Sequence, residues 1–163
     1  MKGEGFMKKV LAFLAMIVMM ATLPRGVTVK AAQPTLTVEQ GKLTVVELPR
    51  TQSDSKVSYT PYEYSQTFTF KIDGAAIATA TAECEVWHYT DGKVHLYTRT
   101  ISTTSILNYT AYATYGSKVN TDGSLSYTTG DRVTIIGPAG SWRYAIDFRI
   151  TPTTSGSFSC YGV

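Results

Sequence analysis

The stretch YEYSQTFTFKI, from Tyr62 to Ile72, decides the fold class because its apolar and polar residues alternate. The even positions are mainly aromatic or aliphatic and the odd positions are polar, which is the period-two pattern of an amphipathic β-strand. The same alternation runs from Trp142 to Ile150. Both stretches predict strands that bury one face, and neither has the spacing of a helix.

Turn signals recur between such stretches and divide the chain into short strands. They lie at Gln40 and Gly41, Asp73 and Gly74, Asp91 and Gly92, Asp122 and Gly123, Gly130 and Asp131, and Pro138 and Gly140. We predict about eight or nine antiparallel strands joined by hairpins, forming a β-sandwich or a barrel. An N-terminal hairpin is expected from Thr35 to Leu48, followed by a polar linker over residues 49–56.

Residues 1–31 have the layout of a secretory signal peptide, with lysines near the start, an apolar segment and a small-residue cleavage site. The cut is predicted after Ala31, with Ala32 as the alternative. The apolar segment, Val10 to Leu23, is shorter than the roughly 20 residues of a bilayer span, so we expect no membrane span in the mature chain. We therefore predict a single secreted domain over residues 32–163.

The charge of the mature chain argues against a nucleic-acid partner. The whole sequence has 15 basic and 12 acidic residues and a formal net charge of +3. Five of these basic residues and one acidic residue lie in the leader, which leaves 10 basic against 11 acidic residues, a formal charge of −1. The remaining basic residues are scattered singly along the sequence, whereas a nucleic-acid binder needs a concentrated basic surface.

Cys84 and Cys160 are the only cysteines in the sequence. Exported proteins meet no reducing thiol pool, so we predict a disulfide between them, with two separate thiols as the alternative. In the chain-entropy model, closing a loop of this length stabilises the fold by roughly 4 kcal/mol.

The hairpin around residues 72–74 has two alternative registers. A two-residue loop mixes apolar and polar side chains on one face. A three-residue loop with a glycine bulge places Phe70 opposite Ala76 and Phe68 opposite Ala78. Because a one-residue slip turns every side chain to the other face, the hydrophobic pattern favours the three-residue loop.

The next hairpin, AECEVWHYTDGKVHLYTRT at residues 82–100, contains both histidines, His88 and His95. A two-residue loop would set the histidines opposite each other, as a metal-binding pair requires. A three-residue loop at residues 90–92 keeps the inner face apolar and is therefore preferred. It pairs Val86 with Leu96, His88 with Val94, and Glu83 with Arg99. We predict that the histidines lie on opposite faces and form no metal site.

This register places a row of aromatic side chains on the outer face beside Glu85. The row consists of Trp87, Tyr89, His95 and Tyr97. An exposed aromatic row predicts a contact surface, because flat rings stack on sugars and tyrosine hydroxyls form hydrogen bonds. Two alternatives are that another segment covers the row and makes it core, or that it is a solvated face without a role.

The sequence contains no recognisable catalytic motif. The nucleophile-elbow pattern G-x-S-x-G is absent. Glu83 and Glu85 share one strand face, whereas glycoside cleavage needs two acids facing across a cleft. The stretch from Asn120 to Gly123 lacks the glutamate of a calcium loop and predicts a β-turn. We predict that the protein is not an enzyme and uses no cofactor.

The leading hypothesis is a secreted, non-catalytic binding protein that recognises a glycan or an extracellular protein through a sheet face. The alternative is an exported bacteriocin or toxin-like effector, and a small hydrolase is a third hypothesis. An immunity or transporter gene beside the coding sequence would favour the effector.

Overall fold

The computed structural model describes residues 33–49 and 58–163, which form eleven β-strands and no helix. The strands are β1 (Leu36–Gln40), β2 (Thr44–Glu47), β3 (Tyr59–Ile72), β4 (Ala75–Tyr89), β5 (Val94–Ser105), β6 (Thr110–Thr114), β7 (Ser117–Thr121), β8 (Leu125–Thr129), β9 (Arg132–Gly137), β10 (Gly140–Thr151) and β11 (Thr154–Gly162). They form two antiparallel sheets, which confirms the predicted all-β, sandwich-like fold. In this part of the chain there is no helix of the length and apolarity that crossing a membrane would need.

The predicted number of strands is too low. The boundary between β6 and β7 falls at Tyr115 and Gly116, and that between β10 and β11 at Pro152 and Thr153. Neither of these boundaries, nor the one between β5 and β6 at residues 106–109, is among the predicted turns. The predicted leader and all but the first residue of the predicted linker at 49–56 lie outside the described residues.

Sheet A has the strand order β1-β3-β4-β5, with β2 also paired to β3. β1 pairs with residues 68–72 of β3, and β2 pairs with residues 62–65. The predicted N-terminal hairpin is therefore wrong, because β1 and β2 follow each other along one edge of β3. Gly41 joins them and donates its backbone N–H to the Thr67 carbonyl, which keeps the connection on that edge.

The turn between β3 and β4 is shorter than predicted. Ile72 pairs with Ala75, which leaves a two-residue loop in which Asp73 and Gly74 have φ angles of 49° and 79°. Positive φ at both central residues is the type I′ turn that Asp-Gly favours, because its twist matches that of the two strands. The preference of Asp-Gly for this turn type therefore fixed the loop at two residues, although the hydrophobic pattern had favoured three.

A β-bulge on β4 then restores the hydrophobic face. Ile77 is the extra residue, and beyond it Phe70 faces Ala78 and Phe68 faces Ala80. The predicted pairing of large with small residues is therefore present, but each phenylalanine meets an alanine two positions further along than expected. A bulge inserts one unpaired residue and so turns the following side chains to the other face.

Sheet B has the order β6-β9-β10-β8-β7, and β11 also pairs with β10. β9 pairs with β10 as far as Ala145, and β8 pairs with it from Arg149. β11 pairs with β10 along both of these stretches. β8 and β9 therefore lie end to end on the opposite edge of β10. Between them the Ile146 N–H donates to the Asp131 carbonyl, from the connection between β8 and β9. Along this edge of β10, sheet B is therefore interrupted between β9 and β8.

The core lies between the sheets, on the faces that the alternation predicts. Phe68 and Phe70 of sheet A and Ile146 and Phe148 of sheet B are each at most 2% exposed. The opposing residues on β4 include the buried alanines Ala78, Ala80 and Ala82. Small residues opposite large ones allow close packing between the two sheets.

The predicted disulfide is not formed, and both cysteines are free thiols. Cys84 belongs to the core cluster that contains Tyr64 and Phe148. Cys160 packs against the other cluster, which contains Phe68 and Phe70. A disulfide needs close and correctly oriented Cβ atoms, and burial in different clusters does not supply them.

A buried ion pair ties β5 to sheet B. Arg99 Nε donates to Asp131 Oδ2 at 2.7 Å, and Asp131 is only 1% exposed. The Gly116 N–H donates to Asp131 Oδ1 at 2.8 Å, and Arg99 Nη2 donates to the Gly116 carbonyl at 2.7 Å. Buried charges need such hydrogen bonds as well as a partner. The predicted ion pair between Glu83 and Arg99 is wrong, because Arg99 pairs with inward-facing Cys84 instead.

Candidate functional site

The predicted site lies on the hairpin between β4 and β5. The structure confirms the preferred register, in which His88 pairs with Val94 and Trp87 pairs with His95. The loop at residues 90–92 therefore has the predicted three residues. This register places Trp87 on the outer face of sheet A, away from the core.

The two histidines lie on opposite faces, as predicted. His88 Nε2 is 3.3 Å from the Tyr64 hydroxyl, whereas His95 Nε2 is 3.3 Å from the side-chain nitrogen of Asn120. Burial lowers the pKa of both imidazoles, and Lys118 lowers that of His95 further. Across residues 33–49 and 58–163, no group of three or more His, Cys, Asp and Glu side chains is arranged to hold a metal ion.

A β-bulge in β5 sets the position of Tyr97. The register shifts between Glu85 and Val86, which leaves Tyr97 as the extra residue of β5. Bulges re-aim a side chain relative to the regular pleat. The Tyr97 ring accordingly lies over the indole of Trp87.

Three rings from neighbouring strands stack on the outer face of sheet A, and we call them the aromatic ladder: Tyr59 of β3, Trp87 of β4 and Tyr97 of β5. The ring centroids of Tyr59 and Trp87 are 4.3 Å apart, and those of Trp87 and Tyr97 are 4.1 Å apart. The interplanar angles of 18° and 19° make both contacts nearly parallel stacks. Tyr59 was not among the predicted residues, although it lies on the same odd-numbered face of β3 as Glu63.

The structure brings the four predicted residues together. Tyr97 is 44% exposed. Trp87, Tyr89 and His95 are half-buried. Tyr89 contacts Tyr59 at a centroid distance of 5.9 Å, and His95 contacts Trp87 at 6.2 Å. Much of the burial of this face thus comes from the aromatic rings packing on one another.

An open groove of about 560 Å³ runs beside the ladder. Its apolar wall is formed by Leu48, Pro49 and Pro61. Its charged residue is Glu85, whose Oε1 accepts the Trp87 indole N–H at 2.7 Å. The groove therefore combines aromatic, aliphatic and acidic surface.

Trp87 has no free ring face to offer to a sugar. Tyr59 and Tyr97 approach from the strands on either side and cover its two faces. The indole N–H is already bonded to Glu85. Sugar recognition by an aromatic residue uses the flat face of the ring, so the expected stacking of a glycan on Trp87 is not favoured by this geometry.

Two glutamates lie directly opposite each other beside the ladder. Glu63 of β3 pairs with Glu85 of β4 in the register of sheet A. Like charges in this position destabilise a sheet. A cationic group placed between the two carboxylates would remove that repulsion.

Comparisons with protein-family models, with curated proteins and with solved structures found no match.

Proposed function

We propose that the mature chain is an exported, non-catalytic binding protein that holds a segment of a partner protein on the outer face of sheet A. The observation that carries this proposal is the stack of Tyr59, Trp87 and Tyr97 beside an open groove. The leader sequence in residues 1–31 supports export.

The ladder has the properties of an interface anchor. Tyrosine and tryptophan are enriched among the few residues that supply most of the binding energy at interfaces. Tyr97 is exposed at one end of the ladder, while its stack with Trp87 holds its ring in place. A side chain that is already ordered loses little conformational entropy on binding, which favours affinity.

The surroundings of the ladder favour a protein partner over a glycan. The groove wall of Leu48, Pro49 and Pro61 suits an apolar side chain. The opposed pair of Glu63 and Glu85 suits a lysine or arginine. A partner segment with an aromatic or aliphatic residue near a basic one satisfies both features.

Selection from a peptide library on the intact mature protein tests this proposal. The selected peptides should be rich in basic and aromatic residues. Tyr97→Ala should weaken their binding by about thirtyfold, the effect of removing an interface anchor worth about 2 kcal/mol. Tyr112→Ala is the matched control, because Tyr112 is 43% exposed, close to the 44% of Tyr97, but lies on β6 of sheet B.

Peptides that bind both variants equally well would contradict the proposed binding face, as would a failure to select any peptide. Export is tested separately by mass spectrometry of the secreted protein. Its N-terminus should be Ala32 or Gln33, and a secreted product that retains the leader would contradict cleavage at this site.

A further inference from the structure

The strands of the two sheets carry formal charges of opposite sign, although the sequence has no continuous run of acidic or of basic residues. The strands of sheet A contain five glutamates against two basic residues, a formal charge of −3: Glu39, Glu47, Glu63, Glu83 and Glu85 against Lys71 and Arg99. The strands of sheet B contain four basic residues against one acid, a formal charge of +3: Lys118, Arg132, Arg143 and Arg149 against Asp147. Folding thus collects basic residues that are scattered in the sequence.

Three of these arginines share the outer face of sheet B. Arg143 and Arg149 alternate along β10 with the buried residues Ile146 and Phe148, so they point away from the core. Arg132 pairs with Ala145, on the same face of β10. All three arginine side chains are exposed.

A groove of about 520 Å³ lies on this face, over β8, β10 and β11. Arg149 and Asp147 line it from β10, Ser157 and Ser159 from β11, and Tyr127 from β8. Ser157, Arg149 and Tyr127 are cross-strand neighbours in one row, and Asp147 and Ser159 form the next row, where β8 no longer pairs with β10. The groove therefore offers two neighbouring rows of side chains to one ligand.

Asp147 has one carboxylate oxygen that lacks a hydrogen bond. The Tyr161 hydroxyl donates to Asp147 Oδ2 at 2.7 Å. Among the described residues, Asp147 Oδ1 is buried and has no partner. A buried acceptor without a donor is destabilising. A ligand hydroxyl that reached this oxygen would give it the donor that it lacks.

We propose that this groove binds an acidic saccharide, one that carries carboxylates and free hydroxyls as uronic-acid polymers do. Arg149 offers paired donors to a ligand carboxylate. Asp147 accepts from a sugar hydroxyl, Ser157 and Ser159 donate or accept, and the Tyr127 ring can pack against the sugar. A polyanion without hydroxyls would meet Asp147 as a repulsive charge and leave its oxygen unsatisfied.

Binding of oligogalacturonate to the intact mature protein, measured by calorimetry at physiological salt, tests the inference. Arg149→Gln should lower the affinity about tenfold, the effect of one charge-assisted hydrogen bond. Arg143→Gln is the matched control, because it removes the same charge from the same face but lies outside the groove. It should lower the affinity less than about threefold, since exposed charges outside a contact act weakly at this salt concentration.

Two further comparisons separate this site from general attraction of anions. Asp147→Asn should weaken oligogalacturonate binding and leave any binding of polyglutamate unchanged or stronger. Neutral dextran should bind more weakly than oligogalacturonate. Equal effects of Arg149→Gln and Arg143→Gln, equal binding of polyglutamate, or no binding of oligogalacturonate would each overturn the inference. Tyr97→Ala should leave saccharide binding intact, so this result is independent of the protein-binding function proposed for the ladder.

Discussion

Replacement of Trp87 by alanine tests the aromatic ladder directly. The substitution removes two parallel stacks, each worth about 0.5–1.5 kcal/mol beyond the buried area. It also removes the hydrogen bond from the indole N–H to Glu85, a contribution of about 0.5–1.5 kcal/mol. We expect Trp87→Ala to lower the free energy of unfolding by about 3 kcal/mol, well above the 0.5 kcal/mol that is usual for surface changes.

The measurement is a urea melt of each variant, with the m value checked for two-state unfolding. Trp87→Phe is the control, since it keeps a ring between the two tyrosines but loses the indole N–H. We expect it to lose about 1 kcal/mol, the value of one hydrogen bond. A double-mutant cycle between Trp87→Ala and Tyr97→Ala should give a coupling energy of about 1 kcal/mol.

A loss below about 0.5 kcal/mol for Trp87→Ala would show that the rings do not stack in solution. A loss above about 5 kcal/mol would show that Trp87 is fully packed beneath other residues. Either result would refute the arrangement on which the proposed binding face depends.

Three further predictions concern the core and its titratable groups. Thiol counting on denatured protein should find two free thiols, Cys84 and Cys160, and the native protein should react slowly with alkylating reagents. The reason is that burial raises the pKa of both thiols, that of Cys160 to about 12. Recovery of a disulfide between them would contradict the structure. Arg99→Leu should lower the free energy of unfolding by about 3–5 kcal/mol in a urea melt, because Asp131 would be left buried and unpaired; a loss below about 1 kcal/mol would refute the ion pair. Stability should fall on acidification from about pH 7 to about pH 5, because the unfolded chain then takes up protons that native His88 and His95 resist, the pKa of both imidazoles being lowered from 6.5 by burial. His88→Gln should reduce this fall in urea melts at the two pH values, and an unchanged fall would rule out His88 as its cause.

Local patterns predicted most of the strands and one of the two hairpin registers. Alternation from Tyr62 to Ile72 identified the buried face of β3, and the Asp-Gly signals located the turns. The register around His88 and Trp87 followed from keeping one face apolar, and it placed the predicted aromatic row correctly. These features depend on neighbours in the sequence or across one turn.

The remaining features depend on contacts between distant segments. The bulges at Ile77 and Tyr97 have no sequence signature of their own, so the pairings of Phe70 and Glu83 were wrong. The ion pair of Arg99 joins residues 32 positions apart. The opposite charges of the two sheets and the interruption of sheet B arise only when non-adjacent strands meet, so no local pattern indicates them.

The order of the strands in sheet A has a consequence for folding kinetics. The three strands that carry the ladder, β3, β4 and β5, are consecutive in the chain and adjacent in the sheet. Their pairing closes only short loops, which makes it fast and entropically inexpensive. Sheet B and the ion pair between Arg99 and Asp131 require later segments of the chain. We therefore expect the ladder to assemble early, before the later strands of sheet B close the sandwich.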